Sequence, residues 1–185
     1  MKRRKNKYPV HLQPKTWYGL DPKFFQPYRK YVNREKPGIC GTYVSAALLH
    51  SVIRLDRDYE LDMDKLIQAL RPLVDGRHFY PGTYYWDLVG GLNELLETDG
   101  HYRARWHWLS DPIVLKMLND ERPLPVIVGG LKPLGNHYGN HWLLAYRYGY
   151  NAEGKLFYRC YDNHGRIHAV VAASQTLPAV WLERI

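Results

Sequence analysis

The pattern of apolar and polar positions changes character near residue 100. Before it, apolar residues recur at helical spacing. In "GICGTYVSAALLH" and the residues that follow, Val44, Ala47, Leu48 and Val52 give one buried face, predicting a helix from about Gly41 to Arg54. A second helix is expected over Leu61–Leu70, started by Asp62 or Asp64, with Leu66, Ile67 and Leu70 inward and Pro72 ending it near Arg71. Thr83 is placed to cap a third, in "YYWDLVGGLNELLET", running to about Thr98. Gly90 and Gly91 weaken that helix, which implies a close neighbour there.

After residue 100 the pattern becomes extended. "HYRARWHWL" alternates, and "SDPIVLKMLND" reads as a short helix capped by Ser110 or Asp111 with Pro112 in its first turn. "RPLPVIVGGL" is a continuous apolar run of the kind a buried strand needs. "HWLLAYRYGY", "KLFYRCYD", "RIHAVVAAS" and "AVWLERI" complete a sheet, with "AEG" turning the chain between the first two. Helices first and strands later predict an α+β domain with segregated layers.

Composition adds little to this picture and charge adds one point. The 185 residues suit one domain. The net charge is +8, but Lys2, Arg3, Arg4, Lys5 and Lys7 carry five of those charges, leaving +3 for the rest. Residues 1–37 therefore read as a basic, proline-rich, irregular segment, with Trp17, Phe24, Phe25 and Tyr28 available to anchor it, ahead of a domain at 38–185. A nucleic-acid-binding domain would need its basic stripe across the folded body, so nucleic acid is not an expected partner. No apolar run reaches the roughly 18 residues of a membrane span, and no leader pattern follows the basic start. A cytoplasmic location is expected, or a secreted one if a leader precedes this sequence. Composition does not address the oligomeric state.

Chemistry enters with the cysteines, of which there are two. Cys40 stands between glycines at a helix mouth, where free N–H groups and the helix dipole favour a thiolate. Cys160 lies in an alternating strand, as a small hydrophobe would. Cys40 is therefore expected to be alkylated far faster than Cys160. A nucleophilic cysteine needs a base and a group to orient that base. Of nine histidines, most sit on loops or helix ends and are expected to be solvated; His141 instead opens a strand beside a glycine-containing loop. A hairpin turn near Ala152 brings Asp162 and Asn163 back level with His141, and alternation lets only one of the two face it. His137 and His141 have helical metal-ligand spacing, but Gly139 and the strand that follows argue against a helix, and no metal or cofactor is expected.

The order Cys, His, then Asp or Asn, with the cysteine on the first helix and the others on a later sheet, resembles the papain-like cysteine peptidases. "CGTYVSAALL", "ERPLPVIVGG", "HWLLAYRYGY" and "CYDN" together resemble the bacterial branch that processes bacteriocin precursors with double-glycine leaders. The resemblance spans about residues 38–170. It implies a papain-like fold and hydrolysis of peptide or amide bonds, with a peptide or protein as substrate. Cys40 would be the nucleophile, His141 the base and then the acid, and Asp162 the orienter. Two positions depart from the pattern. Asn163 stands where the branch has a proline, and it could serve as orienter as in papain-type enzymes. Arg34 stands at the spacing of the glutamine that builds the oxyanion hole, so Asn33 or Gln26 is expected to supply that amide, Asn33 being nearer. "HFYPGTYYW" is expected to border the substrate groove. A peptide-binding module without catalysis is the alternative on the same fold.

Overall fold

The computed structural model describes residues 16–35, 38–76 and 79–185. Four α-helices and seven strands are built from them. The helices are α1 (Cys40–Arg57), α2 (Met63–Val74), α3 (Tyr85–Leu95) and α4 (Ser110–Leu118). The strands are β1 (Trp17–Gly19), β2 (Tyr102–His107), β3 (Val126–Gly130), β4 (His141–Tyr150), β5 (Leu156–Tyr161), β6 (Ala169–Ala172) and β7 (Thr176–Arg184). All pairings are antiparallel in the order β2-β7-β3-β4-β5-β6, and β1 adds to β4. The expected α+β architecture is present, with α1 packed against α2, α3 and the centre of the sheet.

Helix α1 is more buried than a one-sided stripe implies. Val44, Ala47, Leu48 and Val52 are inaccessible, but so are Ala46, Ser45 and Ser51 on its other sides. A helix enclosed all round forms the centre of a core, here between the sheet and the other helices. Its His50, expected to be solvated, is 3% exposed and lies 2.7 Å from the hydroxyl of Tyr28. Tyr28 belongs to a 3-10 helix, Pro22–Lys30. The stretch expected to be irregular thus holds a strand and a short helix in its described part. Phe25 and Tyr28 are fully buried in the common core, Phe25 stacked 4.1 Å from Tyr146. Residues 1–15, including the basic cluster and His11, lie outside the described residues.

Limits of α2, α3 and α4 differ from expectation, and α1 runs on past Arg54 to Arg57. α2 continues through Pro72 to Val74, because one more turn buries Val74 completely. α3 is capped at Tyr84 by a box with Asp87 and not by Thr83, whose hydroxyl is engaged elsewhere, and its regular part stops at Leu95. In α4 Ser110 is the first helical residue and not the cap; its buried hydroxyl bonds Thr176. The close neighbour implied by the glycines of α3 exists at Gly91, where a Cβ would lie 2.6 Å from Val74 and 3.0 Å from the Leu73 carbonyl. Gly90 has open space.

Candidate active site

Cys40 is the first residue of α1, half-buried at the wall of a cavity of about 760 Å³ between α1 and the sheet. His141, the first residue of β4, lines the same cavity. Strand β3 brings this about. Gly130 pairs with His141, and Gly129 with Trp142. A side chain at Gly129 would collide with Trp142 and the Leu177 carbonyl. The Trp142 main-chain N–H reaches the Cys40 sulfur.

His141 Nε2 donates to the main-chain carbonyl of Asp162 at 2.7 Å. A carbonyl only accepts, so Nε2 carries the proton and Nδ1 keeps a free lone pair. Asp162 therefore contacts His141 through its backbone, whereas the expectation concerned its carboxylate. That carboxylate is fully buried and holds its own loop, accepting from Tyr138 Oη and the N–H groups of His164 and Arg166. Asn163, with a positive φ of 46°, turns its amide nitrogen to the Trp142 carbonyl at 3.0 Å, and its Oδ1 is buried without a partner. Tyr138 and His164 both pack on the His141 ring, with centroids 5.5 and 4.3 Å away. Burial, joined by the charge of His164, pushes the His141 pKa down to about 4.

The thiol moves the other way. A lowered pKa was expected at the helix mouth, but burial pushes the Cys40 thiol up. N–H groups from Trp142, Cys40 and Gly41 pull it down, and the Asp75 carboxylate pushes it up again. Asp75, just after α2, caps α1 from outside. Its Oδ2 accepts from Thr42 N at 2.8 Å and Thr42 Oγ1 at 2.6 Å, and its Oδ1 accepts from Thr83 Oγ1. Gly41 is required beneath Thr83, because a Cβ would lie 2.5 Å from that side chain. Near neutral pH the resting pair is thus a thiol and a neutral imidazole. Replacing Asp75 by asparagine keeps an acceptor for Thr42 and removes the charge. Thiol labelling should then shift to lower pH and speed up about two- to fivefold at neutral pH. An unchanged rate-against-pH curve would show that the carboxylate has no hold on the sulfur.

Asn33 also meets the helix mouth. One atom of its side-chain amide lies 3.1 Å from both the Ile39 and the Cys40 nitrogens, and the other lies 3.3 Å from the Glu35 and Ile39 nitrogens; the shorter pair of contacts assigns the oxygen to the first. Asn33 thus lines the cavity and shields the Cys40 N–H. Gln26, the other expected amide, is exposed on the 3-10 helix and away from the cavity. Residues 81–86 of the aromatic stretch border the groove as expected, and Tyr84 and Trp86 stack at 4.5 Å while remaining about half exposed. Trp108, also about half exposed, lines the same groove. His78, in the same stretch, lies outside the described residues. Among the described residues no group of three His, Cys, Asp or Glu is placed to hold a metal, and no helix is long and apolar enough to cross a membrane.

No protein-family profile and no curated protein sequence matches the chain. Solved structures do. The bromelain protease of Ananas comosus, in complex with the E64 inhibitor, is similar over 89% of this chain and 98% of its own, with a TM-score of 0.56 and 12% identity. The peptidase domain of Streptococcus ComA, a bifunctional ABC transporter, is similar over 76% and 90%, with a TM-score of 0.45 and 16% identity. The helix α1 that begins at Cys40 and the antiparallel sheet that carries His141 are thus parts of a known architecture, and the chain has the fold of the papain-like cysteine peptidases.

Proposed function

We propose that the protein is a cysteine peptidase or a related thiol hydrolase of peptide or amide bonds. Cys40 is the nucleophile and His141 the base, while Asp162 orients His141 through its carbonyl. The observation that carries this reading is a cysteine at the first turn of a buried helix, facing one cavity with a histidine whose tautomer is fixed. Nδ1 takes the thiol proton as the sulfur attacks the substrate carbonyl. The oxyanion forms beside the Cys40 N–H. The imidazolium then returns the proton to the departing amine, and water, activated by His141, hydrolyses the thioester and frees Cys40. The aromatic walls at Tyr84, Trp86 and Trp108 suit an extended peptide with apolar side chains. The sequence motifs resemble those of the bacterial leader-processing branch.

The peptide-binding alternative draws on one observation: the Cys40 N–H and the thiol are both restrained at rest, by Asn33 and by burial. Reaction with an epoxide-bearing peptide, followed by mass mapping, separates the two. A peptidase gives a Cys40 adduct and turns over members of a peptide library, and Cys40→Ala abolishes both. Saturable peptide binding without turnover or adduct would establish the binding module.

A further inference from the structure

The same strand that begins at His141 carries a second concentration of chemistry at its other end. Arg147 lies six residues further along β4, about 20 Å away. It stands directly opposite Arg159 of β5. Like charges in facing positions of a sheet destabilise it. Here the cost is increased, because Nε of each arginine is buried and has no hydrogen-bond partner. The Arg159 guanidinium lies over the Trp17 ring of β1, 4.5 Å from its centroid. Arg29, in the last turn of the 3-10 helix, is near enough for its charge to act on His168. His168, in the loop before β6, bonds Tyr146 through Nδ1 at 3.0 Å. The charges of Arg159, Arg29 and Arg147 all reach His168 and, after burial, hold its pKa down.

No carboxylate answers these charges. Every Asp and Glu of the chain is among the described residues. The ion pairs among those residues use Arg57, Arg71, His101, Arg105, Lys155 and Arg184, and none uses Arg29, Arg147 or Arg159. Trp17 also lines a small cavity of about 210 Å³ with Phe157, Gly149 and Tyr150. A compact multivalent anion would meet the outer guanidinium nitrogens of these partly exposed arginines and relieve the repulsion. A tetrahedral phosphate suits a guanidinium fork better than chloride does.

We propose that Arg29, Arg147, Arg159 and His168 form a binding site for a phosphate-bearing small molecule, separate from the Cys40 cavity. The Trp17 and Phe157 cavity beside it would take the ligand's apolar part. The site does not depend on the peptidase reading.

Calorimetric titration of the full chain with inorganic pyrophosphate, at ionic strength fixed with chloride, tests the proposal. Saturable binding is expected, weakened about tenfold to a hundredfold by Arg147→Gln or Arg159→Gln. Arg29→Gln and His168→Gln, at exposed positions, cover the case in which a strand substitution prevents folding; each should also weaken binding. Cys40 labelling should not change in any of the four variants. Repeating the titration with a nucleoside diphosphate reads the small cavity, since a tighter complex that loses its advantage in Trp17→Ala assigns the apolar part to it. Binding that survives all four substitutions would belong to Lys2, Arg3, Arg4, Lys5 and Lys7 and would overturn the site. So would heats no larger than those of chloride, or binding confined to DNA or RNA oligonucleotides.

Discussion

Replacing His141 with alanine is expected to lower peptide turnover by about a hundredfold to ten-thousandfold, the range of a lost general base. The resting chemistry makes the dependence strong. The Cys40 thiol is pushed up by burial and by Asp75, so little thiolate exists at neutral pH. In the proposed reaction its proton leaves during attack, and His141, whose imidazole at a pKa of about 4 is neutral from mildly acidic pH upward, is the group that would receive it. Wild-type turnover should therefore rise through about pH 4 and stay level until the thiol itself ionises. The alanine variant should follow thiol ionisation alone, well above neutrality. Superimposable pH profiles for the two proteins would remove His141 from the reaction.

Asn33→Asp is the second large effect, and it separates two roles that Asn33→Ala would confound. In the resting structure the Asn33 oxygen faces the N–H groups of Ile39 and Cys40. If that contact is only a helix cap, aspartate replaces it without loss, because a carboxylate accepts at a helix start at least as well. If the amide turns over when substrate binds, its nitrogen and the Cys40 N–H become a pair of donors for the oxyanion, and aspartate has no nitrogen to offer. The expected outcome is unchanged or slightly raised thermal stability, an unchanged KM and a kcat reduced about a hundredfold to a thousandfold, well beyond the about two- to fivefold by which a nearby carboxylate charge slows the thiol. Full activity in Asn33→Asp would reduce Asn33 to a cap.

The parts of this site that sequence could reach are those with local signatures. A cysteine between glycines ahead of an alanine-rich run announces a helix mouth, and α1 begins at that cysteine. Counting along a hairpin places Asp162 and Asn163 level with His141, and the Asp162 carbonyl lies 2.7 Å from its ring. The count cannot tell a carboxylate from a carbonyl, because which atom faces the ring depends on the loop conformation at residues 162–166. Asp75 was out of reach for another reason. It caps a helix that begins 35 residues earlier, and nothing in its neighbourhood marks it as a cap. Trp142 was legible as a strand residue, but the contact of its N–H with the sulfur is tertiary. The 3-10 helix at Pro22–Lys30 was hidden by its prolines, which discourage an α-helix but suit a short, tight turn sequence.

The core is unusual in how many phenols it encloses. Tyr28, Tyr146, Tyr148, Tyr158 and Tyr161 are all fully buried, and each hydroxyl has a partner inside the protein: His50, the Ile167 carbonyl, Asn119, Ser110 and the Tyr31 carbonyl. Burial raises the pKa of every one of them. In an unfolded chain the same groups would lose their protons near pH 10. Folding thus binds protons in alkaline solution. The stability that these five contribute is fully present below about pH 10 and drains away as the pH rises beyond it. The phenolate absorbance band should accordingly develop in two stages: a gradual one from tyrosines outside the core, then an abrupt one when the core opens and all five ionise together. Circular dichroism recorded alongside should lose its native signal in the second stage and not in the first. The protein's own tyrosines would then serve as an optical gauge of global unfolding, with no label attached.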